Sequence, residues 1–361
     1  MNKIDRRSFL LLSGGLALAA ACGSSGGENK PSAGSGAAVD PNRRVRLRLG
    51  YFPNITHAQP QIALQRGVYT DALGPNVTLD MSKSFNAGPA EMEALLAGAI
   101  EAAYVGPSPA STAFAQTDGK ELRIVAGATS GGALLIVRPA ANLTKPSDFA
   151  NKRIASPQLG NTQDVALRAW LQSNGLNPRE NGGNVTVLPT NNPDTLTAFQ
   201  KGDIDGAWVP EPWATRLVQE AGGKVYLDER TLWPNGQFAT TVLVVRTSYL
   251  QKNPDVIEKL VGAHVDATDW IKQNPDEAKK LVNQNIAKVT NAPLPQAVVD
   301  AAWLNQEITY DPVASSIKKS VDDAVKLGFY DKKPDLWQLL DLGALNKALT
   351  AKQLPEVRGL T

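Results

Sequence analysis

Small, neutral polar residues follow the predicted strands in both halves of the chain. The candidate ligand contacts are Thr56, His57, Ser108, Ser130 and Gly131 in the first half, and Asn161, Thr162, Gln163, Glu211 and Trp213 in the second. Short side chains let a ligand approach closely, and free N–H groups at helix starts bind anions. His57 lies just ahead of a predicted helix, where its ring could donate to an oxyanion. Helix capping by Thr56, Asn161 and Thr162 is the alternative interpretation.

The stretch Trp-Val-Pro-Glu-Pro-Trp, residues 208–213, carries the aromatic candidates. Trp208 ends a predicted strand and is expected in the core. Trp213 and Glu211 lie in a proline-rich loop and are better site candidates, because an aromatic ring packs against ligand methylenes or a cation. A carboxylate beside an anion is unfavourable unless it binds an ammonium group. A zwitterion such as an amino-alkanesulfonate would suit Glu211.

The residue inventory argues against catalysis and against a metal site. The chain contains two histidines, His57 and His264, and one cysteine, Cys22, so a zinc site of the His/Cys type is not expected. No phosphate-binding or dinucleotide-binding glycine motif is present. The segment Gly106-Pro107-Ser108-Pro109-Ala110 superficially resembles a hydrolase nucleophile elbow. In that motif the residue after the nucleophile donates its backbone N–H, which Pro109 lacks.

An internal repeat organises the elements that would position these residues. Residues 94–110 and 198–214 are identical at six of 17 positions, with an offset of 104 residues. Each copy reads as a helix end, a glycine, a short strand and a proline-containing loop. The strands predicted at 46–50 and 153–156, each followed by a polar loop and a helix, extend the correspondence.

This alternation predicts an α/β fold with two lobes, each a mixed sheet flanked by helices. Ligands of such folds bind beyond the carboxyl ends of the strands, where the polar loops fall. We assign residues 43–137 and 241–361 to the first lobe and residues 138–240 to the second. The apolar runs 133–138 and 239–246 are interpreted as strands next to the hinge, and helices are expected at 256–272, 275–284, 295–307, 315–327 and 336–342.

The amino terminus indicates export. Asp5-Arg6-Arg7-Ser8-Phe9-Leu10 is typical of a twin-arginine signal, and the apolar run that follows holds 12 residues, too few for a bilayer span. Ala19-Ala20-Ala21-Cys22 resembles a lipobox, although leucine is usual at the position of Ala19. We therefore predict a lipoprotein signal peptide over residues 1–21 and lipidation of Cys22. Ordinary signal-peptide cleavage is the alternative.

Composition limits the partners. Without residues 1–21 the chain is close to neutral, which argues against nucleic acid and against a polybasic membrane-surface protein. Fourteen of the twenty residues at 23–42 are Gly, Ser, Ala or Pro, so residues 22–42 are predicted to be a lipidated cysteine and a flexible linker.

Several motifs together resemble the substrate-binding proteins of ATP-driven importers for aliphatic sulfonates, taurine and nitrate. The resemblance covers about residues 45–345 and is carried by the stretches Phe85-Asn86-Ala87-Gly88-Pro89, Val105-Gly106-Pro107-Ser108-Pro109, Gly160-Asn161-Thr162 and Gly202-Asp203-Ile204-Asp205-Gly206. The resemblance implies a type 2 periplasmic-binding-protein fold that closes on a ligand and delivers it to a permease with a cytoplasmic ATPase. It adds Gly106 to the candidate cleft residues.

The resemblance implies a small anionic solute of the sulfonate type as ligand, with nitrate, a nitrile or a thiamine-pyrimidine precursor as alternatives on the same scaffold. The amino-terminal signal predicts a lipid-anchored protein at the outer face of the cytoplasmic membrane or in the periplasm, and tethered delivery favours a monomer. We expect no cofactor and no metal. Two other classes stay open. One is an enzyme on this scaffold, against which the export signal counts, and the other is a solute receptor for a membrane sensor.

Overall fold

The computed structural model describes residues 43–360; the predicted signal peptide, Cys22 and the predicted linker lie outside the described residues. Residues 44–361 form one compact unit. Two β-sheets, each flanked by helices, build it, which confirms the predicted α/β fold with two lobes.

The first sheet has six strands in the spatial order β11-β4-β10-β3-β1-β2. Its strands are β1 (Val45–Gly50), β2 (Val77–Asp80), β3 (Ala102–Val105), β4 (Leu122–Gly131), β10 (Ala239–Arg246) and β11 (Gln306–Ile308). Strand β1 pairs in parallel with β2 and β3, whereas β10 runs antiparallel between β3 and β4.

The second sheet has five strands in the order β7-β6-β8-β5-β9. Its strands are β5 (Ala133–Val137), β6 (Arg153–Ser156), β7 (Thr186–Pro189), β8 (Gly206–Pro210) and β9 (Lys224–Asp228). Strand β6 pairs in parallel with β7 and β8, and β5 runs antiparallel between β8 and β9. The two sheets therefore share one pattern. Three parallel strands (β2, β1 and β3, or β7, β6 and β8) are followed by an antiparallel strand (β10 or β5), which in turn pairs with β4 or β9.

Thirteen α-helices surround the sheets in residues 43–360. They are α1 (Ala58–Gln65), α2 (Val68–Leu73), α3 (Gly88–Leu96), α4 (Pro107–Gln116), α5 (Thr162–Ser173), α6 (Asn192–Lys201), α7 (Trp213–Gln219), α8 (Thr247–Lys252), α9 (Pro254–Gln273), α10 (Pro275–Thr290), α11 (Gln296–Leu304), α12 (Ala314–Lys326) and α13 (Gly343–Ala351). Proline at the first turn of α9 and α10 fixes their starts, as the Asn-Pro pairs predicted.

The internal repeat is confirmed as a structural repeat. Gly98 and Gly202 end α3 and α6 with φ of 69° and 83°, a left-handed conformation that favours glycine. In each copy, an arginine of one strand (β1 or β6) donates a hydrogen bond to a carboxylate just before a neighbouring parallel strand (β3 or β8). The backbone N–H of Arg48 donates to Glu101 at 2.7 Å, and that of Arg153 donates to Asp205 at 2.8 Å.

The predicted lobe boundary at residue 137 does not match the strand pairing. Strand β5 hydrogen-bonds to β8 and β9, so it belongs to the second sheet, and only Gly132 separates it from β4 of the first. The first crossover between the sheets therefore lies at Gly131 and Gly132. The return crossover lies between β9 and β10, which begins at Ala239.

Two helix predictions in the last third are wrong in part. The segment 336–342 is not helical: Leu340 bridges to Ile124, and Leu336 and Leu339 pack into the core of the first lobe. The apolar side chains of this segment pack into the core from a turn and not from a helix, and helix α13 begins only at Gly343. Glu307, predicted at a helix end, lies in the edge strand β11.

Candidate functional site

The polar loops meet between the two sheets. The carboxyl ends of β1 and β3 lead into α1 and α4, and those of β6 and β8 lead into α5 and α7. Residues of the first three connections and Pro210, the last residue of β8, line one small cavity, which we call the inner cavity. Its volume is about 20 Å³, room for about one water molecule. The lobes are therefore closed on each other in this structure.

Six of the predicted site residues line the inner cavity: Thr56, His57, Gly106, Asn161, Thr162 and Gln163. The structure therefore brings together residues that are more than 100 positions apart in sequence. Their side chains are neutral, and those of Thr56, His57, Asn161, Thr162 and Gln163 are almost fully buried.

The first turns of α4 and α5 approach each other across the cavity. Gly106 is the N-cap of α4, and a Cβ added there would lie 2.3 Å from Thr162 Oγ1. The Ser108 N–H lies 3.5 Å from the same oxygen. Asn161 caps α5, because its side-chain oxygen accepts from the Thr162 N–H at 3.0 Å. Both helix N-termini carry partial positive charge, so the cavity between them favours an anion.

His57 is a neutral donor at this cavity. Its Nδ1 accepts from the Phe52 N–H at 3.3 Å, which places the ring proton on Nε2, and its ring stacks on Phe52 at 4.4 Å. Burial lowers the pKa of His57 to about 3. The imidazole therefore stays uncharged at neutral pH and can donate one hydrogen bond.

Seven further residues line the inner cavity: Phe52, Asn54, Asn86, Asn192, Pro210, Thr240 and Thr241. None of these seven residues was predicted from the sequence as a ligand contact. Asn86 lies in a stretch that carries the family resemblance, and Thr240-Thr241 interrupts an apolar run at the start of β10. Two adjacent hydroxyls at a strand end next to a crossover were the available signal. Asn192 gave no such signal, because a polar residue at a helix start is usual.

Three buried polar atoms at or beside the cavity have no hydrogen-bond partner among the described residues. They are Ser108 Oγ, Asn192 Oδ1 and Thr241 Oγ1. A buried hydroxyl or amide without a partner costs about 1–3 kcal/mol. A ligand whose oxygens accept from the two hydroxyls would recover part of that cost, whereas Asn192 Oδ1 is itself an acceptor. The hydroxyls of Ser108 and Thr241 can both donate to an oxyanion.

Glu211 does not reach the inner cavity. Its carboxylate accepts from the Thr215 N–H and hydroxyl at 3.1 and 2.9 Å and from the Asn305 amide at 2.6 Å. Burial raises the pKa of Glu211, and these hydrogen bonds oppose the rise. The predicted ammonium contact is thus replaced by a carboxylate that ties α7 to the end of α11. No charged side chain lines the inner cavity within residues 43–360.

The other predicted residues lie around the site rather than in it. Ser130 accepts the Phe238 N–H at 3.1 Å, and the carbonyl of Gly131 accepts from Thr240, so both hold the crossover between the sheets. Trp213 donates to Asn54 at 3.1 Å across the cleft and lines an adjoining cavity of about 340 Å³, which we call the outer cavity. Trp208 is fully buried in the core of the second lobe, as predicted.

The described residues were also searched for metal sites and membrane spans. No group of three or more His, Cys, Asp or Glu side chains could hold a metal ion within residues 43–360. In the same part of the chain, no helix has the length and apolarity needed to cross a membrane.

Similar proteins bear on the role of this site. The taurine-binding periplasmic protein of Escherichia coli K12 is 31% identical over 212 residues, 59% of this chain and 63% of that protein. The nitrate/nitrite-binding protein NrtA of Synechococcus elongatus is 26% identical over 299 residues, 74% of this chain and 66% of that protein. The matches thus span just under two thirds of these relatives.

Solved structures share the fold. The alkanesulfonate-binding protein SsuA of Xanthomonas axonopodis pv. citri, bound to MOPS, matches 84% of this chain and 98% of that one, with a TM-score of 0.68 and 21% identity. The nitrate-binding protein NrtA of Synechocystis PCC 6803 matches 88% and 92%, with a TM-score of 0.72 and 17% identity. The sequence model of the NMT1-like family matches residues 40–287, more than half of the chain. The chain belongs to the NMT1-like family.

Proposed function

We propose that this protein is the extracytoplasmic binding component of an ABC importer, and that it captures a small anionic solute of the sulfonate type between its two lobes. Relatives that bind taurine, alkanesulfonates and nitrate support this role. A relative named as a nitrate import ATP-binding protein, 28% identical over 244 residues, supports a partnership with a permease and an ATPase.

One observation carries the choice of ligand charge: two helix N-termini from opposite lobes meet at a cavity lined by neutral donors. Helix α4 contributes the Ser108 N–H, and helix α5 begins at Asn161 and Thr162 on the facing side. Neutral His57 and the hydroxyl of Thr241 add donors. A monoanion gains from dipoles and N–H groups without a full counter-charge, whereas a dianion would be poorly compensated.

Closure would bury the ligand. Only two crossovers join the sheets, at Gly131 and Gly132 and between β9 and β10, so the lobes can rotate about them. Gly131 and Gly132 have φ of 73° and 74°, a region that glycine adopts without strain. An opening motion at these residues would separate α4 from α5 and admit the solute.

The test is a thermal-shift and calorimetric screen of the body, residues 44–361. The panel holds methanesulfonate, taurine, longer alkanesulfonates, nitrate, sulfate, a nitrile and a thiamine-pyrimidine precursor. A ligand at 100 times its dissociation constant stabilises by about 2.7 kcal/mol, a shift of several degrees. A shift with monoanionic sulfonates and none with sulfate is expected. If every monoanion fails at millimolar concentration, the proposed ligand class is wrong.

Nitrate is the second candidate ligand, because NrtA proteins are among the relatives and the fold neighbours. A shift with nitrate and none with methanesulfonate would keep the transport role and change the ligand. The relatives compared are named as binding proteins, which favours binding without a chemical step. Recovery of the ligand unchanged after incubation, checked by mass spectrometry, tests the enzyme alternative.

We further propose that the chain is exported and anchored through a lipid on Cys22. The twin-arginine pair, the short apolar run and the lipobox-like Ala19-Ala20-Ala21-Cys22 support the anchor. Co-purification of a permease with the anchored protein distinguishes delivery to an importer from signalling to a membrane sensor.

A further inference from the structure

The outer cavity adjoins the inner cavity. Asn54, Asn86 and Asn192 line both of them. The inner cavity is polar and small, whereas the outer cavity has a volume of about 340 Å³, within the range of ligand pockets in proteins. A ligand whose head lies between α4 and α5 would therefore direct the rest of its structure into the outer cavity.

The wall of the outer cavity is largely apolar. Five of its lining residues are prolines, which have no backbone N–H and fix the backbone: Pro53, Pro193, Pro212, Pro293 and Pro295. Ile286, Leu294 and Trp213 add apolar surface. The polar lining residues are Asn54, Asn86, Asn192, Thr290 and Arg216, and the three asparagines also line the inner cavity. The proline and aliphatic part of the wall suits a part of the ligand that makes no hydrogen bonds.

The charge at the outer cavity is positive. Arg216 is the one charged residue that lines it among the described residues, and its guanidinium lies 4.7 Å from the Trp213 ring centre. Arg216 also donates to Glu220 through Nε at 2.9 Å and through Nη2 at 2.9 Å. No carboxylate of the described residues lines either cavity. A ligand ammonium group would therefore find no carboxylate on the cavity wall, where the one charged side chain is a cation already paired with Glu220.

We propose that the outer cavity is a subsite for an uncharged apolar or aromatic tail, and that this chain prefers sulfonates with such tails over taurine. This inference rests on the proposed function and narrows its substrate class. The chain is 31% identical to a taurine-binding relative, but Glu211, the carboxylate expected to meet a ligand ammonium group, is turned away from both cavities into hydrogen bonds with Thr215 and Asn305.

Isothermal titration with a matched ligand pair tests the proposal. Taurine and 1-propanesulfonate have the same length and differ at one end, ammonium against methyl. We expect 1-propanesulfonate to bind the purified protein at least about tenfold more tightly. From methanesulfonate to 1-butanesulfonate, affinity should rise about fourfold per methylene, the equivalent of about 0.8 kcal/mol per buried CH₂. Taurine binding as tightly as 1-propanesulfonate would overturn the proposal.

Two variants assign the effect to the outer cavity. Trp213→Ala should flatten the chain-length dependence, measured as the ratio of 1-butanesulfonate to methanesulfonate affinity, because the loss of the Trp213–Asn54 hydrogen bond affects both ligands alike. Trp337→Ala is the matched control, because Trp337 is 75% exposed and lies outside both cavities. Arg216→Met removes the positive charge and should narrow the gap between 1-propanesulfonate and taurine.

The outcomes separate this inference from the proposed function. If methanesulfonate binds but affinity is independent of tail length in the unaltered protein, the tail subsite is refuted and the proposed function stands. If neither methanesulfonate nor any other monoanion binds, the proposed function itself fails. An unchanged chain-length dependence in Trp213→Ala would refute the assignment to the outer cavity.

Discussion

Replacing Gly106 with alanine should hold the two lobes apart without disturbing either of them. Gly106 has φ of −66° and ψ of 148°, which alanine adopts without strain. The added Cβ would lie 2.3 Å from Thr162 Oγ1 of the facing lobe. Every other neighbour of that Cβ is 3.4 Å away or more, which is ordinary contact. The clash therefore exists only when the lobes are closed.

The magnitude follows from this geometry. The Cβ and the hydroxyl must separate by about 1 Å to reach ordinary contact, by rotation of Thr162 out of its rotamer or by incomplete closure. Overpacking of this kind costs about 1–3 kcal/mol, which is about a five- to 150-fold loss of affinity. The free energy of unfolding should stay within about 0.5 kcal/mol of the unaltered protein, because the open form has no clash.

The assay combines titration calorimetry with small-angle scattering. Methanesulfonate should bind Gly106→Ala more weakly, and the ligand-induced decrease in radius of gyration should shrink. Gly262→Ala is the matched control, because a Cβ at Gly262 meets nothing within 4 Å. In the double variant Gly106→Ala/Thr162→Ala the clashing oxygen is gone, so closure should recover and the two substitutions should be non-additive. Unchanged affinity and closure in Gly106→Ala would refute closure at this contact.

Three further predictions test the site, the interior and the anchor. Thr241→Val removes a buried hydroxyl that has no partner among the described residues. Calorimetry should show anion binding weakened by about 1–2 kcal/mol, while thermal stability stays the same or rises. Unchanged affinity would show that Thr241 does not contact the anion. Glu91 is fully buried, neither of its carboxylate oxygens has a partner among the described residues, and burial raises its pKa. Above the ordinary pKa of glutamate the unfolded chain loses this proton while the folded chain keeps it, so the folded state loses stability as the pH rises. Glu91→Met should therefore raise the free energy of unfolding in urea by about 1 kcal/mol or more, and by more at pH 8 than at pH 5. Glu93→Met, exposed on the same helix, is the control, and equal gains at both pH values would contradict the argument. Cys22→Ser should abolish incorporation of labelled palmitate and release the protein from membranes; a labelled Cys22→Ser protein would contradict lipidation.

The sequence predicted most of what local pattern controls. The repeat located β3 and β8, the glycines that end α3 and α6, and the helices that begin at the polar loops. The Asn-Pro pairs located the starts of α9 and α10. These features depend on residues close together in sequence, through capping, proline geometry and apolar periodicity.

Long-range pairing set the limits of the prediction. Strand β5 reads as apolar throughout, so nothing in it distinguishes the first sheet from the second; its pairing with β8 and β9 decides. Glu211 looked available to a ligand because its neighbours in sequence are prolines and tryptophans. Its partners are Thr215, four residues on, and Asn305, 94 residues away in sequence. No local pattern could show the hydrogen bond with Asn305.

The repeat also explains why the cleft is asymmetric. Helices α1 and α4 of the first lobe correspond to α5 and α7 of the second, so the contact of α4 with α5 has a counterpart between α7 and α1. At the first contact Gly106 meets Thr162, and at the second Trp213 meets Asn54 with a hydrogen bond of 3.1 Å.

Two small residues let the lobes close tightly, whereas an indole keeps them further apart. The same closing motion therefore leaves a small polar space on the α4 and α5 side and a large apolar space on the α7 side. The head of a ligand and its tail would occupy corresponding places in two copies of one motif. They differ because Gly106 lies at one interface and Trp213 at the other.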